Sequence, residues 1–153
     1  MELERIFLAR YAEVTPDRLF TAIGGGMNRI SVSGFPWSMG FLFLITQYRV
    51  SAEEGGRPHV VAVERQTPAG RIEPIGTEFT MIGLPPNTSV GPDGMFVFGL
   101  SYLLANPTFP EAGVYRYRLK IDGQGIGEAR LLVAGPAQQD ELGTSSRRSS
   151  RNN

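Results

Sequence analysis

The stretch from Phe109 to Ala134 constrains the fold of this chain more than any other. In its first half apolar residues such as Tyr115 and Tyr117 alternate with charged residues such as Arg116 and Arg118. A period of two places the two sets on opposite faces of an extended chain, which is typical of a half-buried strand. The pattern therefore predicts a strand with one face in a core and one in solvent.

A turn and a second alternating run follow this strand. Asp122-Gly123-Gln124 has the composition of a turn, because glycine adopts positive φ without steric cost. A loop of these three residues keeps both apolar sets on one face, whereas a two-residue loop would oppose the inward set of one strand to the outward set of the other. The expected pairs are Leu119–Gly127, Tyr117–Ala129, Tyr115–Leu131 and, in solvent, Arg118–Glu128. The sequence thus predicts an antiparallel hairpin that closes a β-protein.

The rest of the chain reads as short strands separated by turns. The further predicted strands are 3–14, 19–23, 28–33, 41–51, 60–65, 75–82 and 95–104. Residues 41–51 begin apolar on both parities, which predicts a strand in the middle of its sheet. Gly24-Gly25-Gly26 predicts a bend that carries the chain from one sheet to another. Because no stretch shows a helical repeat, we expect an all-β fold: a two-sheet antiparallel, jelly-roll-like β-sandwich of eight or nine strands with little helix.

Length and charge limit the domain organisation and the partners. The 153 residues suit one β-sandwich domain over residues 1–135, followed by a polar tail at 136–153 that is expected to be disordered. The fifteen basic and fifteen acidic residues cancel, so neither nucleic acid nor a membrane surface is an expected partner. The N-terminal segment carries charges among its apolar residues, unlike a signal peptide, and the expected location is cytoplasmic.

Little in the sequence points to catalysis. Cysteine is absent and His59 is the only histidine, so thiolate chemistry, a hydrolytic triad and a multi-histidine metal site lack their residues. We therefore predict no catalytic residue, no metal site and no cofactor. A hydrolase with a pair of carboxylates is the weakest alternative, because the acidic residues are scattered and their spacing does not call for such a pair.

Two segments are candidates for a ligand-binding surface. Phe35-Pro36-Trp37 holds the only tryptophan in a connection, and the loop at 83–94 contains three prolines. Aromatic side chains held in such a loop lose little entropy when they stack on a sugar or a partner. The candidate ligand-binding residues are Phe35, Trp37, Asn87 and Asp93. The competing interpretation is that Trp37 only fills one end of the sandwich.

Several short motifs resemble those of one protein family. They are Leu8-Ala9-Arg10-Tyr11-Ala12-Glu13, Pro16-Asp17, Leu19-Phe20 with Gly24-Gly25-Gly26, the segment from Phe109 to Tyr115, and Asp122-Gly123. Together they resemble a family of small uncharacterised bacterial β-sandwich proteins with a domain of unknown function. Arg18 departs from the glycine expected after the aspartate. The resemblance implies a compact β-sandwich in the bacterial cytoplasm and no particular activity.

The leading hypothesis is a non-enzymatic binding or assembly module. It acts by self-association, as a homo-oligomer, or by holding a protein partner, because strands that are apolar on both faces need a second surface to cover them. The alternative is a small-molecule or carbohydrate receptor that uses the Trp37 end of the sandwich.

Overall fold

The computed structural model describes residues 1–15, 20–82, 91 and 93–136. These residues form twelve strands and one helical turn, α1 (Ala52–Gly55). The strands are β1 (Glu2–Ala9), β2 (Tyr11–Val14), β3 (Phe20–Ile23), β4 (Arg29–Ser31), β5 (Trp37–Ser38), β6 (Phe41–Ser51), β7 (Pro58–Gln66), β8 (Ile72–Ile82), β9 (Met95–Ala105), β10 (Thr108–Phe109), β11 (Gly113–Ile121) and β12 (Gln124–Ala134). Within the described residues, helical structure is nowhere long and apolar enough to cross a membrane.

The strands form four sheets rather than two. The larger ones have the orders β1-β6-β9 and β4-β12-β11-β7-β8, and the others are β2-β3 and β5-β10. All pairs are antiparallel except β4 with β12. The all-β prediction is confirmed, and β6 is central in its sheet as expected. The extra sheet β5-β10 keeps the register of β6-β9, but Asn106, with a φ of 47°, interrupts the ladder.

One hydrophobic core joins the two larger sheets. Buried side chains of β6 and β9 pack in the same cluster as those of β7, β11 and β12. Tyr48, Tyr115 and Tyr117 are among its largest fully buried members. Gly127 allows β1 to lie close to β12, because a Cβ there would be only 2.2 Å from Leu3 Cδ2.

The closing hairpin, β11 and β12, has all four predicted cross-strand pairs. The predicted three-residue loop is wrong. Ile121 pairs with Gln124, so the loop is only Asp122-Gly123, and the register shifts beyond Leu119 so that Ile126 is an extra residue in β12. This β-bulge restores the alternation that a two-residue loop would otherwise reverse.

The predicted strand over residues 3–14 is two strands that bend apart at Arg10. The N–H of Arg10 donates to Ile23 O at 3.1 Å, so β2 pairs with β3 while β1 pairs with β6. The β2-β3 hairpin folds over the outer face of the three-stranded sheet. Ala9, Ala12 and Ile45 are buried there. The chain itself therefore covers part of the second apolar face. Gly24-Gly25-Gly26 then carries it to β4 in the five-stranded sheet, as predicted.

Candidate functional site at the free edge of β9

The aromatic residues predicted to bind a ligand lie against the core. Trp37 and Phe35 are partly buried, and both pack on the main hydrophobic cluster. The Trp37 and Phe109 ring centroids are 5.8 Å apart. A Cβ on Gly135 would lie 2.9 Å from the Phe35 ring, which shows how closely that ring approaches the end of β12. The contacts of Trp37 are those of a side chain that fills one end of the core.

Asp93 lies just before Met95, the first residue of β9. Its carboxylate pairs with Arg49 and accepts a hydrogen bond from the Met95 N–H at 3.1 Å. The hydrogen bond from Arg49 is the main cause that lowers the pKa of Asp93. Trp37 pairs with Phe109, beyond the last residue of β9. Eleven extended residues span roughly 35 Å, so the structure does not bring Asp93 and Trp37 together. Asn87 lies outside the described residues.

The feature that distinguishes this surface is the outer edge of β9. Among the described residues, β9 pairs as a strand only with β6, and its other edge is free beyond Met95, whose C=O accepts a hydrogen bond from the Gly91 N–H at 2.7 Å. Its sequence, MFVFGLSYLLA, has eleven residues without a charge or a proline, and its ladder with β6 has no register shift. Natural sheets normally protect a free edge with charges, proline, a bulge or a very short strand. β9 has none of these.

The other outer edges of the two larger sheets are protected. β1 carries charged residues and a register shift between Leu3 and Arg5. β8 contains Pro74 and has Gly76 at a φ of 68°, and its ladder also shifts register. β4 has only three residues. The contrast singles out β9 as the edge on which another strand fits.

Hydrogen bonds determine which residues of β9 point to this edge. Leu8 lies opposite Leu44, but its carbonyl oxygen accepts from the Met27 N–H at 3.0 Å and so points away from β6. The N–H and C=O groups of Leu44 therefore point to β9, where Leu44 pairs with Tyr102. The even-numbered residues of β9 thus bond to β6, and the Asn106 N–H continues this pattern by donating to Gly40 O. Because neighbours alternate along an antiparallel strand, the odd-numbered residues direct their N–H and C=O groups to the free edge. They include Val97, Gly99, Ser101 and Leu103.

The same odd-numbered residues face the outside of the sheet. Val97 is 43% exposed and Leu103 is 52% exposed. Gly99 is buried and Ser101 half-buried between them, and β2 and β3 contact β9. Two apolar side chains are therefore exposed on either side of this buried stretch.

A cleft runs between β9 and β8, the edge strands of the two larger sheets. Two adjoining cavities of about 180 Å³ and 510 Å³ share the lining residues Ile75, Gly76, Leu103 and Leu104. Phe79 and Tyr102 cross the cleft with ring centroids 5.8 Å apart. The cleft gives the β9 edge a groove of mixed polar and apolar lining beside its free backbone groups.

The hydroxyl of Tyr102, which lines the groove, is engaged with the hydroxyl of Tyr48, which is buried in the core. The oxygens of Tyr48 and Tyr102 are 3.2 Å apart. Burial is the main cause that raises the pKa of both groups above the ordinary value. Both hydroxyls therefore stay neutral at physiological pH.

Arg65 and Glu73 line one end of the cleft as an ion pair. Arg65 Nε donates to Glu73 Oε2 at 2.9 Å, and Arg65 Nη1 donates to Thr108 O at 2.9 Å. The guanidinium also lies 5.9 Å from the Phe109 ring centroid and 5.7 Å from that of Tyr115. The hydrogen bond from Arg65 is the main cause that lowers the pKa of Glu73. This cluster ties β7, β8 and β10 together.

His59 lies elsewhere, beside the turn of the closing hairpin. Its Nδ1 is 2.8 Å from Asp122 Oδ2, and Asp122 Oδ1 accepts the Val60 N–H at 2.8 Å. The bond with His59 is the main cause that lowers the pKa of Asp122. Sequence reasoning missed this pair, because the residues are 63 positions apart and only the pairing of β7 with β11 brings them together.

The β9 edge was not identified from the sequence, which carries only a weak signal for it. The strand at 95–104 was predicted, and its lack of charge is visible in the sequence. Its place at an edge was not, because sheet order depends on which strands pair over long distances.

Fold and site define, over the described part of the chain, an all-β protein with an unprotected sheet edge. The chain belongs to a family of unknown function, DUF6941, whose profile matches residues 4–134. This agrees with the resemblance to a domain of unknown function seen in the sequence. No curated protein matches the chain.

A solved structure similar to this chain is that of the Pseudomonas fluorescens alkylpurine DNA glycosylase AlkC bound to DNA containing an abasic site analog. The two are 12% identical with a TM-score of 0.38, and the match covers 84% of this chain and 30% of the glycosylase chain. A likeness of this size says nothing about function.

Proposed function

We propose that this protein is a non-enzymatic assembly module that binds an extended, uncharged strand of a protein along the free edge of β9. In this proposal the two larger sheets are the layers of a β-sandwich, and the bound strand extends the layer β1-β6-β9. The observation that carries the proposal is the unprotected edge of β9, eleven residues without charge, proline or bulge. The cytoplasmic location expected from the sequence belongs to the same proposal.

Strand addition uses the groups that β9 leaves free. The N–H and C=O groups of Val97, Gly99, Ser101 and Leu103 form the main-chain hydrogen bonds that supply affinity in this binding mode. Val97 and Leu103 supply apolar contacts on the outer face. Completing the burial of each contributes about 1 kcal/mol. The groove beside β8 receives side chains from the inner face of the added strand.

The polar groups of the groove support a binding role over a catalytic one. Arg65 and Glu73 bond to each other, and the hydroxyls of Tyr48 and Tyr102 do the same. A general acid or base needs a free atom and a pKa near the working pH. The lowered pKa of Glu73 and the raised pKa of Tyr102 lie away from neutrality.

A donor strand fused to the full chain tests the proposal without knowledge of the partner. A second copy of the β9 sequence is appended through a glycine–serine linker of about twenty residues, long enough to reach the edge. The exchange step is carried out at a dilution where the chain does not self-associate, and the protection of individual β9 amides is then read by NMR. We expect the Val97, Gly99, Ser101 and Leu103 amides to become as protected as their even-numbered neighbours.

The matched control carries lysine in the donor strand at the positions equivalent to Val97 and Leu103. It should leave the odd-numbered amides in fast exchange, because the charges face apolar surface. If the odd-numbered amides exchange equally fast with both donors while the even-numbered amides stay protected, the edge does not accept a strand and the proposal is wrong.

A further inference from the structure

We infer that the strand bound at the β9 edge is β9 of a second copy of this chain, antiparallel and related by a two-fold axis that passes Leu100. This inference rests on the proposed function and names its partner. It follows from three properties of β9: its hydrogen-bonding direction, its pattern of exposed residues and its charge.

The direction of the free backbone groups allows this pairing. With the axis at Leu100, residue 97 lies opposite 103 of the second copy and residue 99 lies opposite 101. These are the odd-numbered residues whose N–H and C=O groups point to the free edge. Four hydrogen-bonded pairs form between positions 97 and 103, with about eight main-chain hydrogen bonds. Leu100 lies opposite Leu100 of the second copy in a non-hydrogen-bonded pair.

The exposed side chains select this register. An axis at residue 100 places Val97 opposite Leu103 of the second copy, twice by symmetry. A shift of the axis to residue 99 or 101 would oppose Val97 to a serine or an alanine instead. Apolar cross-strand pairs stabilise a sheet more than pairs with small residues. A two-fold axis at Leu100 therefore pairs the two most exposed large residues of the strand.

The inner face is complementary in the same register. Phe98 lies opposite Tyr102 of the second copy, and Phe96 opposite Leu104. The two sheets β1-β6-β9 then form one continuous six-stranded sheet across the axis. The even-numbered side chains of the added strand cover the groove between β8 and β9.

Charge is compatible with a second copy as well. β9 has no charged residue, and the acidic Asp93 before its first residue is paired with Arg49. The axis therefore opposes no like charges between residues 93 and 105. The polar tail at 136–153 fits this edge poorly, because its sequence has charged and polar residues where a strand against β9 needs apolar ones on both faces.

The mass in solution tests the inference on the full chain. Light scattering should give twice the chain mass of 16.7 kDa. The variant V97K/L103K opposes two lysines across each pair and should be monomeric. V97K/L103E opposes lysine to glutamate in this register and should return to a dimer, which also shows that charged residues at these positions allow folding. V114K is the matched control, because Val114 is 39% exposed on the outer face of β11, and it should stay dimeric.

A cysteine placed at the axis tests the register directly. The chain has no cysteine. Cα atoms of a non-hydrogen-bonded antiparallel pair lie about 4.5 Å apart, within the range for a disulfide. Leu100→Cys should therefore give a covalent dimer under mild oxidation, and Val114→Cys should not.

Three results would overturn the inference. They are a monomeric wild-type chain, a V97K/L103K variant that remains dimeric, and a Leu100→Cys dimer that does not cross-link. The donor-strand fusion separates these results from failure of the proposed function. Protection of the odd-numbered amides in the fusion, together with a monomeric wild type, would show that the β9 edge accepts a strand and that a second copy does not supply it.

Discussion

Replacing Glu128 by glutamine should lower the stability of the fold at neutral pH and have a smaller effect in acid. Glu128 lies on the outer face of β12 among three arginines. Its Oε1 accepts from Arg116 Nη1 and Arg130 Nε at 2.7 Å each, and its Oε2 accepts from Arg118 Nε at 3.0 Å. Burial by itself would raise the pKa of Glu128. The three arginines outweigh it and lower the pKa from 4.5 to about 2.

The magnitude follows from this shift. A pKa that is lower in the folded state stabilises the fold above the unfolded-state value, and this stabilisation is lost as the pH falls through the folded-state value. The window runs from about pH 4.5 down to about pH 2. The full shift corresponds to roughly 3 kcal/mol. The arginines are 35–66% exposed, so solvent screening reduces the expected contribution to about 1–2 kcal/mol.

Urea unfolding of both proteins at pH 6.5, 4 and 3 measures this difference. The gap in unfolding free energy should be about 1–2 kcal/mol at pH 6.5 and shrink to less than half of that at pH 3. Glu53→Gln is the control, because Glu53 is 87% exposed and its contact with Arg57 is 3.7 Å long. Its effect should be small at every pH. A gap for Glu128→Gln that does not change with pH would refute this account of the arginine cluster.

Two further substitutions test the packing of the fold. Phe109→Ala should lower the free energy of unfolding by about 3–5 kcal/mol, because the side chain is fully buried between Trp37 and Tyr115. Trp37 fluorescence during urea unfolding measures this change. A decrease below about 1 kcal/mol would contradict the packing. Gly113→Ala should destabilise by about 1–3 kcal/mol, because its φ is 138° and a Cβ would lie 2.6 Å from Pro68 Cβ. Gly125→Ala, with open space around it, should cost less than half as much in the same assay.

Local pattern alone predicted much of the fold. Alternation of side chains and the turn residues after Ile121 predicted the closing hairpin and its four cross-strand pairs, because a period of two excludes shifts by one residue and the turn limits the remaining registers. The apolar start of residues 41–51 predicted that β6 is central, and β6 lies between β1 and β9. The family resemblance came from short local motifs of the same kind.

Features that depend on long-range pairing were not predictable in this way. The turn at Asp122-Gly123 is shorter than expected because a bulge at Ile126 corrects the register. The predicted three-residue loop and the observed two-residue loop with a bulge give the same alternation of side chains. The break at Arg10 depends on its hydrogen bond to Ile23, which exists only once β3 has folded back. Sequence pattern could not distinguish one strand from two there.

The candidate site shows the same division. The sequence by itself determined that residues 95–104 form an uncharged strand with one inward parity, because composition and alternation are local properties of the chain. Only the tertiary structure decided that β9 is an edge strand, that its odd-numbered backbone groups point outward, and that Asp93 and Trp37 lie at opposite ends of it. The physical reason is that sheet order is fixed by contacts between residues far apart in the chain, and the sequence of one strand does not encode its neighbour.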